Sequence, residues 1–137
     1  MHILVCSLEE QRYGIDLGRV DRGILAVAVT SIPNSPAHVL GALNNYGEII
    51  PVMNLRVLLG LPLRPLDAND HFILCTAHNR SAVIWADRAS AVRECTQEEL
   101  IPAQEVIPDC QAAEYVLKEN DEIVLLLDLD RLIPVGN

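Results

Sequence analysis

Short stretches of β-prone residues recur along the whole chain, each cut off by a turn signal. They cover residues 3–8, 13–17, 24–29, 39–43, 49–53, 72–76, 82–86, 91–94, 115–117 and 123–127. Runs of this length, rich in Val, Ile and Leu and bounded by Gly, Asn, Asp and Pro, read as strands, and no long 3.6-residue period competes with them. The expectation is a mostly β chain of about ten strands, arranged as a sandwich or as barrels.

One internal repeat sharpens this picture. Glu48-Ile-Ile-Pro-Val-Met-Asn-Leu-Arg-Val-Leu-Leu59 lies without gaps on Glu122-Ile-Val-Leu-Leu-Leu-Asp-Leu-Asp-Arg-Leu-Ile133. Each copy is an apolar strand followed by Asn54 or Asp128, whose side chains accept hydrogen bonds from the free N–H groups of a helix start. Apolar residues then recur at spacings of three and four, at Leu55, Leu58 and Leu59 and at Leu129, Leu132 and Ile133, which gives a short helix one buried face. Two similar lobes are therefore expected, each owning a strand followed by a short helix. Asn44, Asn45 and Gly47 tolerate the positive φ of a tight connection between strands 39–43 and 49–53, leaving Tyr46 displayed on it. The proline-bearing residues 61–70 and 101–111 read as surface connectors.

At 137 residues the chain suits one domain, residues 1–137, large enough to bury about two-thirds of its unfolded surface. Half of it is hydrophobic but only 4% is aromatic, so the core is aliphatic and stacking platforms for bases or sugars are scarce. The net charge of -9 is uneven: residues 1–93 hold eight Lys/Arg against eight Asp/Glu, and residues 94–137 hold two against eleven. A chain without clustered Lys/Arg is a poor match for nucleic acid or an anionic membrane. No apolar run approaches the ~20 residues that span a bilayer. Cys6, Cys75, Cys95 and Cys110 form no C-x-x-C pair and the N-terminal apolar run meets Glu9-Glu10 at once, so reduced thiols in the cytoplasm are expected.

Catalytic material is sparse. Cys75-Thr-Ala-His78 is the one close Cys/His grouping, where a structural zinc normally takes two such pairs. Cys6 and Cys75 lie in apolar strands, and Cys95 sits among Glu94, Glu98 and Glu99, which raise a thiol pKa and quench a nucleophile. Cys110 stands in the second connector without an obvious histidine. Asp128 and Asp130 are explained by capping and exposure. No phosphate-binding, dinucleotide or metalloprotease motif is present. The reading is no enzyme, no metal and no cofactor, with a small Cys/His-dependent hydrolase using Cys75, His78 or Cys110 as the distant alternative. A binding module remains, using exposed strands or the groove between lobes.

The segment Gly41-Ala-Leu-Asn44-Asn-Tyr-Gly47-Glu-Ile-Ile-Pro51-Val-Met-Asn-Leu55-Arg56 resembles the G-V-x-N-L-R-G-x-I-x-P-V-x-D-L-R signature of the CheW family of chemotaxis coupling proteins. Gly41, Asn44, Gly47, Pro51, Leu55 and Arg56 fall on its fixed positions. The likeness runs over nearly the whole chain, through Tyr13-Gly-Ile-Asp16 with Val20, the approach from Ile32 to Gly41, Val83-Ile-Trp-Ala-Asp87 and the closing segment 123–133. It implies two SH3-like five-stranded β barrels packed side by side, with short helices after two of the strands and the lobes intertwined. It also implies a cytoplasmic, non-catalytic adaptor between the regulatory domain of a CheA-type histidine kinase and the cytoplasmic tip of chemoreceptors. Kinase contact is implied at end strands of one barrel and receptor contact in the groove between barrels.

The resemblance places partner binding on Val20, Arg22, Gly41, Asn44, Tyr46 and Gly47. At three places the chain departs from the pattern: the family's Leu-Arg is Asn45-Tyr46, its V-x-E-I is Val20-Asp-Arg22-Gly23, which reverses a charge, and its Asp is Asn54, which caps a helix equally well. The expected molecule is thus a divergent coupling protein, with a kinase-binding regulatory module that binds no receptor as the alternative. An isolated barrel end is also expected to be able to pair with itself in a homodimer.

Overall fold

Near-continuous apolar runs in the central strands put apolar side chains on both faces, so these strands must be covered on two sides. The computed structural model, which describes residues 1–134, meets this demand with two sheets and three layers of core. The strands are β1 (His2–Leu8), β2 (Gln11–Asp16), β3 (Val20–Leu25), β4 (Val39–Asn45), β5 (Glu48–Met53), β6 (His71–Ala77), β7 (Arg80–Ala86), β8 (Arg88–Glu94), β9 (Ile101–Pro102), β10 (Ala113–Glu119) and β11 (Glu122–Leu127). Three short helices are α1 (Leu55–Leu59), α2 (Ala103–Val106) and α3 (Leu129–Leu132). The first sheet runs β8-β1-β2-β11-β10-β9 and the second β3-β6-β7-β5-β4.

The internal repeat is real and extends beyond its twelve residues. In each sheet a hairpin (β10-β11 or β4-β5) lays its second strand parallel to the second strand of another hairpin (β1-β2 or β6-β7). The fifth strand of each unit comes from the other lobe. After β2 the chain leaves the first sheet and adds β3 to the edge of β6; after β7 it leaves the second sheet and adds β8 to the edge of β1. The two lobes thereby exchange an outer strand.

Each lobe fills its own interior, with Ile3, Val5, Leu117, Val124 and Leu126 in the first and Ile50, Val52, Phe72, Val83 and Trp85 in the second. The opposite faces of the same strands meet in a central layer of Cys6, Leu8, Tyr13, Ile15, Ile73, Cys75, Ile84 and Leu127, joined by Leu55 of α1 and by Leu129 and Leu132 of α3. Gly14 lies opposite Val5 in the β1-β2 pair, where a Cβ would stand 2.9 Å from Ile3 Cδ1 and oblige that side-chain tip to shift. Helix α1 starts on Asn54, whose Oδ1 accepts the Arg56 N–H at 3.2 Å, and ends at Gly60 with φ +70. Asp128 caps α3 in the same way, accepting from Arg131 N at 3.2 Å.

Three expectations are corrected. The third strand covers Val20–Leu25 rather than residues 24–29, because its partner β6 begins at His71, opposite Leu25. Ala26 makes one further hydrogen bond to Asp70, and the chain then crosses to bridge Thr30 with Ala42 of β4. The segment 101–111 is more than a connector, since β9 pairs with β10 and α2 forms one turn. The segment 61–70 is not all surface, because Asp70 is buried and accepts the Trp85 indole N–H at 2.9 Å.

Candidate functional site

The β4-β5 turn is two residues long, between the paired Asn45 and Glu48. Tyr46 has φ +52 and Gly47 φ +92, the signs that a tight hairpin matching the strand twist requires. Asn44 and Asn45 do not carry the positive φ expected of them; both belong to β4. Asn44 works through its side chain instead, its Oδ1 accepting the Gly47 N–H at 2.8 Å. Tyr46 is left 93% exposed at the tip.

Arg22 of β3 reaches this turn from the other edge of the sheet. Its Nη2 donates to Asn45 Oδ1 at 2.6 Å, and its guanidinium carbon stands 5.6 Å from the centre of the Tyr46 ring. The two edges approach because the sheet is strongly curled, although its strand order leaves it open. Arg22 and Tyr46, both departures from the family pattern, therefore touch each other.

Of the residues singled out from sequence, Arg22, Asn44, Tyr46 and Gly47 gather at this corner. Val20 does not share the exposed corner; it is half-buried, pairs with Cys75 and packs on the central layer. Gly41 is buried, and a Cβ there would lie 2.3 Å from the Thr30 carbonyl oxygen, so it belongs to the closure of the lobe. Asn45 was missed as a member of the corner, although its polar side chain in the family's Leu position was a signal. Tyr46→Gly is expected to separate display from folding. Relieving a side chain of positive φ leaves the thermal midpoint unchanged or higher, while binding at this corner weakens; a lowered midpoint would assign Tyr46 a packing role.

A second cluster, absent from the sequence reading, ties the lobes together. Arg56 of α1 is fully buried; its Nη2 donates to Asp87 Oδ1 at 2.5 Å and to Glu9 Oε1 at 3.2 Å, and its guanidinium lies over Trp85. Asp87, where the chain leaves the second sheet, also accepts the Glu9 N–H at 2.8 Å and an Arg64 N–H at 2.6 Å. Burial alone pushes the Asp87 carboxyl up, but the hydrogen bonds from Arg56 and Glu9 hold it below the ordinary carboxylate value. Asp70 behaves likewise, its burial outweighed by Arg64, Asp67 and Trp85. The repeat aligns Arg56 with Asp130 of α3, and Asp130 forms the same clasp with the charge inverted. It takes two hydrogen bonds at 2.8 Å from Arg19, where the chain leaves the first sheet, and one at 2.9 Å from His78 N.

Of the residues weighed for catalysis, Cys6, Cys75, Cys95 and His78 are held in place by packing or a main-chain contact, whereas Cys110 is half-buried. Burial pushes the Cys6 and Cys75 thiols up to about 12, so both stay protonated near neutral pH. Cys95 is raised as well, chiefly by burial. The His78 ring is engaged, with Nε2 2.8 Å from the Ile133 carbonyl oxygen. Among the described residues no group of three or more His, Cys, Asp or Glu side chains converges as a metal site. No described helix is long and apolar enough to cross a membrane.

A six-stranded and a five-stranded sheet, interlocked and matching in the topology of five strands each, with β9 as the extra one, define a mostly β protein built on paired SH3-like barrel lobes. The chain belongs to the CheW-like domain family, whose model matches residues 2–135. It is 29% identical to the chemotaxis protein CheW of Treponema pallidum, over 95% of this chain and 80% of that protein. It is also 29% identical to the chemotaxis protein CheW of Klebsiella aerogenes, with the same coverage of both. The crystal structure of the scaffolding protein TtCheW from Thermoanaerobacter tengcongensis superposes with a TM-score of 0.89 at 27% identity, covering 98% of this chain and 93% of that one.

Proposed function

We propose that this protein is a cytoplasmic, non-catalytic adaptor of chemotaxis-type signalling. It couples the regulatory domain of a CheA-type histidine kinase to the cytoplasmic tip of chemoreceptors through protein contacts alone. The observation that carries this reading is the likeness of fold, over nearly the full chain, to a scaffolding protein of the same family. Cys75 and His78, two of the three groups weighed for a hydrolase, fit the same reading, since the thiol is held protonated by burial and the ring is engaged with a main-chain carbonyl. Residues 1–137 are read as one domain, because each lobe completes its sheet with a strand that the other lobe supplies.

Partner binding is assigned to the corner of Arg22, Asn44, Tyr46 and Gly47, with Val20 and Gly41 lying earlier on the two strands that form it. The departures at Arg22 and Tyr46 favour a second reading, a regulatory module that binds a kinase and no receptor. Titration calorimetry with the kinase regulatory domain and, separately, with a receptor-tip fragment from the same organism distinguishes the two. Kd values of ~10 µM or tighter for both are expected of the adaptor. Binding to the kinase alone selects the regulatory module, and binding to neither reduces the reading to shared fold.

A further inference from the structure

Among the described residues Arg22, Arg80, Arg88 and Lys118 hold no carboxylate within 4 Å, and of these four Arg22 is the one fixed by a side-chain hydrogen bond and an aromatic ring. The net charge is -9, and Arg12, Arg19, Arg56, Arg64, Arg93 and Arg131 each hold a carboxylate of the same chain within 4 Å. Arg22 is exposed and, among the described residues, its hydrogen bond goes to a neutral amide, Asn45 Oδ1. That bond and the Tyr46 ring orient the guanidinium without neutralising it. A guanidinium offers five N–H donors in a planar fork that matches a carboxylate, and one described bond leaves the rest of the fork open. Tyr46 and Ile49 stand 93% and 66% exposed on the same hairpin; Glu48 between them and Asp21 beside Arg22 are exposed too, but among the described residues neither carboxylate lies within 4 Å of the Arg22 guanidinium.

We propose that Arg22, Asn45 and Tyr46 form one prebuilt receptor for a carboxylate, and that the protein partner at this corner presents an Asp or Glu beside apolar side chains. Resting on the adaptor reading, this partner is the receptor tip, and Arg22 sets which tips are accepted. Two departures from the family pattern are on this view a single coupled change. Charge reversal at position 22 alone would leave an unsupported guanidinium on a flexible stem, whereas Asn45 and Tyr46 lock it in one orientation. A lone ammonium at the same place would keep the charge and lose the fork.

The test uses the full chain, titrated with a receptor-tip fragment and with the kinase regulatory domain. Arg22→Glu is expected to weaken tip binding at least tenfold while kinase binding stays within twofold, and Arg22→Lys to weaken it less. Replacing the exposed tip carboxylates with Lys one at a time is expected to yield one fragment that binds Arg22→Glu better than it binds the unaltered protein. Added salt weakens the unaltered pair, because an exposed ion pair is screened. Tip affinity unchanged by Arg22→Glu, or loss with no rescuing Lys replacement, overturns the carboxylate proposal while leaving the adaptor reading standing. Loss of kinase binding instead overturns the assignment of this corner to the receptor. A tip fragment that fails to bind the unaltered protein while the kinase domain binds overturns both.

Discussion

Arg56→Ala destabilises the protein by about 3 kcal/mol or more, the range for removing one partner from a buried ion pair. Thermal unfolding is expected to register this as a fall in midpoint of about 10 °C. The loss comes from Asp87 and Glu9 rather than from Arg56 alone. Without the guanidinium, a partly buried carboxylate at the point where β7 hands the chain to β8 keeps only Arg64 and the Glu9 N–H. Trp85 also loses a cation from its ring face, 5.4 Å from the Arg56 guanidinium carbon. Arg56→Met, which keeps most of the buried volume, is expected to cost less. The sign with pH follows from the Asp87 carboxyl, which the Arg56 hydrogen bond helps to hold below the ordinary value. Its contribution is present above the ordinary carboxylate pKa of about 4 and fades as pH falls through the lower folded value. The difference between unaltered protein and Arg56→Ala therefore narrows in acid. A midpoint unmoved by Arg56→Ala at neutral pH would show that the clasp does not hold the lobes.

Gly41→Ala is the second large effect, expected to cost about 1–3 kcal/mol because backbone must move. The added Cβ would meet Thr30 O at 2.3 Å, Val29 Cγ1 at 2.6 Å and Thr30 C at 2.9 Å, and two of these atoms are main chain that no rotamer change removes. The disturbed residue is the one that bridges β4, with Thr30 N donating to Ala42 O and Ala42 N to Thr30 O, both at 2.9 Å. Shifting this bridge moves the start of β4, whose far end carries Asn44, Asn45 and the Tyr46 turn. Lower stability and weaker binding at the corner are thus expected together, in contrast to Tyr46→Gly, where they part. Unfolding midpoint and tip titration measured on both variants check the contrast; a Gly41→Ala protein as stable as the unaltered one would remove the steric argument.

Both effects lie on parts of the fold that a linear reading reaches unequally. The strand runs, the repeat of 48–59 on 122–133, the caps Asn54 and Asp128 and the exposed Tyr46 turn were all legible, because each depends on neighbours within a few residues. The twofold likeness of the lobes was legible for the same reason. The third strand was displaced by several residues, since its end is set by where β6 begins, some fifty positions away in the chain. The family pattern pointed to Arg22 and Tyr46 separately, and nothing in the residues themselves said that they meet.

What the sequence determined by itself is the local grammar: period-two strands, turn residues, helix caps, an aliphatic core and the acidic balance of the last third. Only the tertiary structure decided that the lobes exchange β3 and β8, that Arg56 and Asp130 clasp the exchange points with opposite charge, and that Arg22 is held against Asn45 and Tyr46. The physical reason is range. Backbone propensity and side-chain alternation act over a turn or a strand, whereas burial, charge pairing and stacking join whichever residues the packed sheets bring within a few ångströms, regardless of their separation along the chain.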